Sequence, residues 1–124
     1  MLSYKERMRA AFIKKVRAAG LCDERNAAFC ASSRKGLVLL AVKGNLLTVS
    51  EIDAQHVIGS CLERVPLKEI TDLRVKTGFF SALFAGDPIS FTWNGEKYAF
   101  SNVIITGAVK DSMDVIREES EKKA

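Results

Sequence analysis

Apolar positions along this chain change their period twice. Over residues 3–19, Met8, Phe12, Val16 and Ala19 recur at steps of three or four, with Ile13 beside them and Arg9, Lys14 and Arg17 off the stripe. That spacing gathers apolar side chains on one face and predicts a helix that packs by Met8, Phe12 and Val16. Ser3 with Glu6 three positions later makes a capping box for its start, and Gly20 is a stop. A second short helix is expected over 24–32, capped by Asp23 and built on Ala27, Ala28, Phe29 and Cys30. Ser32 to Gly36 reads as a turn.

From residue 37 the pattern is that of strands. Leu37 to Val42 is a continuous apolar run, expected to be central, and Lys43-Gly44-Asn45 turns it into Leu46 to Ile52. Asp53-Ala54-Gln55 turns again into a strand over His56 to Glu63. Pro66, which lacks a backbone donor, restricts any strand there to an edge or an end. In Ile70 to Lys76, Thr71, Leu73 and Val75 alternate with Asp72, Arg74 and Lys76. Ile89, Phe91 and Trp93 alternate likewise, Asn94-Gly95 supplies two residues suited to positive φ, and Tyr98 and Phe100 continue on the return, which predicts a tight hairpin. Ile105, Val109, Met113 and Ile116 then resume helical spacing behind Thr106 as the cap. Residues 118–124 are charged or small and are expected to fray.

The elements add up to two helices, five to seven antiparallel strands and a closing amphipathic helix. Here the chain resembles the bacterial pleckstrin-homology-like domains, in particular the short type found in Gram-positive proteins. The likeness covers residues 37–119: the Leu37 to Val42 strand, Val65-Pro66-Leu67-Lys68-Glu69-Ile70-Thr71 leading into a strand, Gly78-Phe79-Phe80, the Trp93-Asn94-Gly95 hairpin, and the last helix. The resemblance implies an α+β fold, a roll of two roughly orthogonal antiparallel sheets closed by a C-terminal amphipathic helix and preceded by two N-terminal helices. Residues 1–36 would form a helical extension packed on a domain at 37–119, with 120–124 a frayed tail. It also implies an adaptor that binds lipid, peptide or protein, or assembles with itself. Family members that bind phosphoinositides use paired basic residues in the first strand loop, where this chain has the single Lys43.

Composition places the chain among ordinary globular domains: 124 residues, 48% hydrophobic and 27% charged. Its net charge of +4 is unevenly spread. Residues 1–36 hold nine Lys or Arg against three Asp or Glu, a net of +6; residues 37–124 hold ten against twelve, a net of −2. Attraction to an anionic membrane or a nucleic acid therefore starts at the first helix, through Lys5, Arg9, Lys14, Lys15 and Arg17. No apolar run is long enough to span a bilayer. Lys14, Lys15 and Arg17 interrupt the runs that a signal peptide would need, so cytoplasmic residence is expected.

Residues arranged for chemistry are few in the sequence. Cys22, Cys30 and Cys61 are odd in number and without C-x-x-C spacing, which reads as free thiols rather than disulfides. His56, the sole histidine, could partner Cys61 or Cys22 as a nucleophile, but a strand-start histidine and a mid-strand buried cysteine are ordinary structural residues. Glu51 and Asp53 could chelate a cation at a strand end and read equally as solvated surface. Neither G-x-x-x-x-G-K-[ST] nor G-x-G-x-x-G occurs. No catalytic residue, metal or cofactor is expected. Phe79, Phe80, Leu83 and Phe84 crowd four large apolar side chains into six positions. They read either as a loop folded back on the helix over 3–19 or as the candidate surface for a protein partner or for self-association. The expected function is thus a non-catalytic protein-interaction or self-assembly module. Peripheral binding to anionic lipid or nucleic acid through the basic helix is the alternative, and a Cys–His enzyme a third reading.

Overall fold

The computed structural model describes residues 3–75, 89–104 and 109–122. Helix α1 (Tyr4–Ala18) leads to strands β1 (Ala28–Ser33), β2 (Gly36–Lys43), β3 (Leu46–Ile52) and β4 (Ile58–Pro66). A 3₁₀ turn (Leu67–Glu69) precedes β5 (Thr71–Val75), β6 (Ile89–Trp93) and β7 (Glu96–Ile104), and α2 (Val109–Glu121) follows. The seven strands form one antiparallel sheet in the order β4-β3-β2-β1-β7-β6-β5. This corrects the expected roll of two sheets behind two N-terminal helices. The fold is α+β, with a single open seven-stranded sheet and one helix before it and one after.

The second helix expected over 24–32 is replaced by β1, a strand at the middle of the sheet, paired with β2 on one side and β7 on the other. The cause is local. The Asp23 carboxylate accepts from the Arg25 backbone N–H at 3.0 Å, the Asn26 N–H donates to the Asp23 carbonyl at 2.9 Å, and Asn26 then takes a positive φ of 55°. That closes a turn instead of opening a helix, because an asparagine in the left-handed region redirects the chain. Beyond it, Ala27, Phe29 and Ala31 enter one apolar layer and Ala28 and Cys30 the other. A strand buried on both faces shows no polar alternation, so its period is masked in the sequence.

The sheet curls. β4 and β5 are its opposite edges, yet only residues 67–70 join them. Four linking residues reach no more than about 18 Å, whereas seven strands laid flat spread over about 29 Å. The inner face therefore wraps a core of Phe29, Leu40, Leu47, Leu67, Ile89 and Phe91, into which Met113 and Ile116 of α2 insert. α2 packs on the 3₁₀ turn, β1, β2 and β5 and so covers the end of the sheet that carries the β2–β3 turn. On the outer face, Phe12 and Val16 of α1 pack with Cys22, Ala28, Cys30, Leu39, Ala41 and Ile52. β4 ends at Pro66 on a sheet edge, where a residue without an N–H costs no ladder bond. The Asn94-Gly95 hairpin forms with φ of 52° and 78°, the left-handed pair that such a turn requires.

Candidate functional site

Among the described residues, α1 is anchored by its C-terminal half. The capping box forms: Ser3 Oγ accepts from the Glu6 N–H at 3.2 Å, and Glu6 Oε2 accepts from the Ser3 N–H at 2.9 Å. Phe12 and Val16 are fully buried. Before them, from Arg7 to Ala11, every residue is exposed. Tyr4 is 70% exposed and Met8 43%, although both lie at four-residue steps on the stripe of Phe12 and Val16. The expected packing of Met8 is thus corrected: the helix extends beyond the surface that Phe12 reaches. Val57, 61% exposed, follows His56, whose ring meets Phe12 edge-on at 5.3 Å. Tyr4, Met8 and Val57 thus lie toward one corner of the molecule.

The basic residues divide into two sets. Arg9, Lys14 and Arg17 line a groove of about 620 Å³ between α1 and the segment entering β1, with Ile13 and Asn26 also in its lining. Positions 9, 13 and 17 are successive helical turns, so the sequence stacks these side chains one above another. Lys15 turns away and donates from Nζ to the Gln55 carbonyl at 3.5 Å. The side chain of Lys5 lies outside the described residues, as do Phe79, Phe80, Leu83 and Phe84. Among the described residues, Arg9, Lys14 and Arg17 form no ion pair. Glu6, at the groove's end, is engaged by the capping box.

Asn26 is the member of this groove that sequence reading missed. Its Oδ1 is buried without a hydrogen-bond partner. A buried polar atom left unmatched costs on the order of 1–3 kcal/mol. The amide's oxygen and nitrogen exchange places by a simple flip, so the same position serves a donor or an acceptor. The only signal in the sequence was an Asn beside Ala27 before an apolar run, which reads as turn chemistry alone.

No family model, curated protein or solved structure matches this chain.

His56 sits in the β3–β4 turn with φ of 63°, half-buried against Phe12. Cys61, expected to be buried, is exposed on β4, and its thiol donates to the Glu63 carbonyl at 3.4 Å. Cys22 is buried, and that burial raises its thiol above the ordinary value despite the opposing charge of Arg17, so it stays protonated. Asp53 builds its turn, accepting from the Gln55 and Val57 N–H groups at 2.9 Å each. Among the described residues no group of three or more His, Cys, Asp or Glu is placed to hold a metal ion, and no helix is long and apolar enough to cross a membrane. A non-barrel sheet with flanking helices is compatible with a structural or interaction domain.

Proposed function

We propose that this chain is a non-catalytic interaction module that docks on anionic lipid surfaces through α1. One observation carries the reading: among the described residues Arg9, Lys14 and Arg17 form no ion pair along one groove of a helix whose first turns also expose Tyr4 and Met8, on the other side of its buried stripe. Exposed apolar side chains on a basic helix suit the boundary between headgroups and acyl chains. Nucleic acid would use the same cations but would leave Met8 without a role, since strand binding depends on stacking platforms. Each Lys or Arg near an anionic leaflet contributes about 1 kcal/mol. Together Arg9, Lys14 and Arg17 would strengthen binding on the order of a hundredfold.

The test is co-sedimentation with vesicles of phosphatidylglycerol and phosphatidylcholine, against phosphatidylcholine alone. Wild type should bind the anionic vesicles, lose affinity as salt rises, and fall on the order of a hundredfold with Arg9→Gln, Lys14→Gln and Arg17→Gln combined. Equal binding to both vesicles, or a triple variant that binds like wild type, would remove the proposal. Binding to labelled oligonucleotide but not to vesicles would assign the groove to nucleic acid instead.

A further inference from the structure

Among the described residues, the large apolar side chains that stand exposed are Tyr4, Met8 and Val57. They come from two elements far apart in sequence, α1 and the turn between β3 and β4. Two contacts set those elements side by side. Lys15 Nζ donates to the Gln55 carbonyl at 3.5 Å, and the His56 ring meets Phe12 edge-on at 5.3 Å. From Gln55 to His56, the partner on α1 moves from Lys15 back to Phe12. The turn thus runs against the direction of the helix, and Val57 follows on the way toward Met8. Met8 and Tyr4 precede Phe12 at steps of four, so they continue the same line toward the start of α1.

The turn holds Val57 out in water. Asp53 Oδ1 accepts from the Gln55 and Val57 N–H groups at 2.9 Å each. The Asp53 N–H donates to the Val57 carbonyl at 3.2 Å, and the His56 N–H to the Asp53 carbonyl at 3.0 Å. His56 takes a φ of 63°, uncommon for a residue with a side chain. A single exposed apolar residue is ordinary, but three at one corner, drawn from two elements, mark a contact surface. Size and charge choose its occupant. Three side chains fall far short of the roughly 800 Å² per partner of a standard protein interface. Insertion at the boundary of headgroups and acyl chains needs only a few. Cations stand on the same flank of α1: Lys15 lies seven residues after Met8, and Arg7 three after Tyr4, both exposed. The carboxylate of the turn, Asp53, is engaged by its two N–H groups.

We infer that the β3–β4 turn is a second membrane-inserting element: Val57 enters the headgroup–acyl boundary of an anionic bilayer beside Met8 and Tyr4, with Lys15 and Arg7 at the level of the phosphates. This rests on the lipid docking proposed for α1 and adds to it a contact outside the helix. Two elements inserting together also fix how the molecule sits. The corner made by α1 and the β3–β4 turn faces the bilayer. The inner face of the sheet, with Trp93 packed against its core, stays in water.

The probe is a vesicle of phosphatidylglycerol and phosphatidylcholine with brominated acyl chains, which quench an indole that reaches them. In the bound wild type, Trp93, the sole tryptophan, should keep its fluorescence. In bound Val57→Trp the introduced indole should be quenched. Val57→Ser should weaken binding to the anionic vesicles by about tenfold, and Val57→Leu should bind at least as well as wild type. Circular dichroism verifies the fold of each variant. If wild type fails to bind these vesicles, the docking of α1 falls and the inference with it. If wild type binds but the introduced indole is unquenched, or Val57→Ser binds like wild type, the inference alone falls. Quenching of Trp93 in bound wild type would overturn the orientation. A change of sedimentation in Val57→Ser without vesicles would assign the corner to a second copy of the chain and overturn the inference.

Discussion

Arg25 is the residue on which three parts of the chain meet. Its guanidinium donates to Asp23 Oδ2 at 2.8 Å, to Glu119 Oε2 at 2.8 Å and to the Gly44 carbonyl at 2.8 Å. Asn45 donates to the Glu119 carboxylate and carbonyl, and the Gly44 N–H returns to Asp23. The bond from Arg25 first, and then the backbone N–H groups of Gly44 and Arg25, hold the Asp23 carboxyl far below the ordinary carboxylate range. Lys122 first, then Asn45 and Arg25, lower that of Glu119. Both groups bind a proton less readily folded than unfolded. Their stabilisation is therefore complete above the ordinary carboxylate pKa of about 4 and is lost as pH falls through the depressed folded values. Glu119→Gln should cost about 1–3 kcal/mol near neutral pH, and thermal melting should show a shallower loss of Tm on acidification than in wild type. Arg25→Met, which takes the cation from Asp23 and leaves Glu119 only Lys122, should cost about 3 kcal/mol or more. An unchanged acid slope in Glu119→Gln would refute this account.

At the scale of elements, α1 has two unequal halves. Phe12 lies in the outer layer against the sheet and Met8 stands largely in water. Phe12→Ala should destabilise the protein by about 3 kcal/mol, through lost burial and the cavity left behind. Met8→Ser should change stability by no more than about 0.5 kcal/mol while weakening vesicle binding. Urea titrations of the two variants measure the difference. Equal losses would mean that the first turns are packed as firmly as the last. The end of α2 reverses the sequence expectation. Residues from 118 onward read as a fraying tail, yet Glu119 and Ser120 are buried and the helix runs to Glu121. No local pattern announces this, because the partners of Glu119, Arg25 and Asn45, lie 94 and 74 positions away.

The whole molecule is two apolar layers sharing one sheet. Alternate residues of β2 enter the inner core at Val38, Leu40 and Val42 and the outer layer at Leu39 and Ala41. Neither layer keeps its sheet face covered without the other, so unfolding should be a single transition. Trp93, on the inner face with its indole N–H donating to Glu69 Oε1 at 3.2 Å, is a fluorescent reporter remote in sequence from α1. Urea curves from Trp93 fluorescence and far-ultraviolet circular dichroism should coincide. An earlier loss of helical signal would show that α1 detaches by itself.

Local spacing determined much of this protein. The capping box of α1, the runs that became β2 and β3, the edge position of the strand ending at Pro66, the Asn94-Gly95 hairpin and the apolar stripe carrying Met113 and Ile116 each follow from neighbouring residues within a few positions. So did the concentration of positive charge on α1. Tertiary structure alone decided the rest. β1 is a strand because β2 and β7 flank it and bury both its faces, which removes the alternation that would have revealed it. The sheet is one rather than two because β1 and β7 pair across the middle. Arg9, Lys14 and Arg17 share a groove with Asn26 because the helix docks on the outer face of the sheet. Such contacts join residues tens of positions apart, and periodicity carries no record of them.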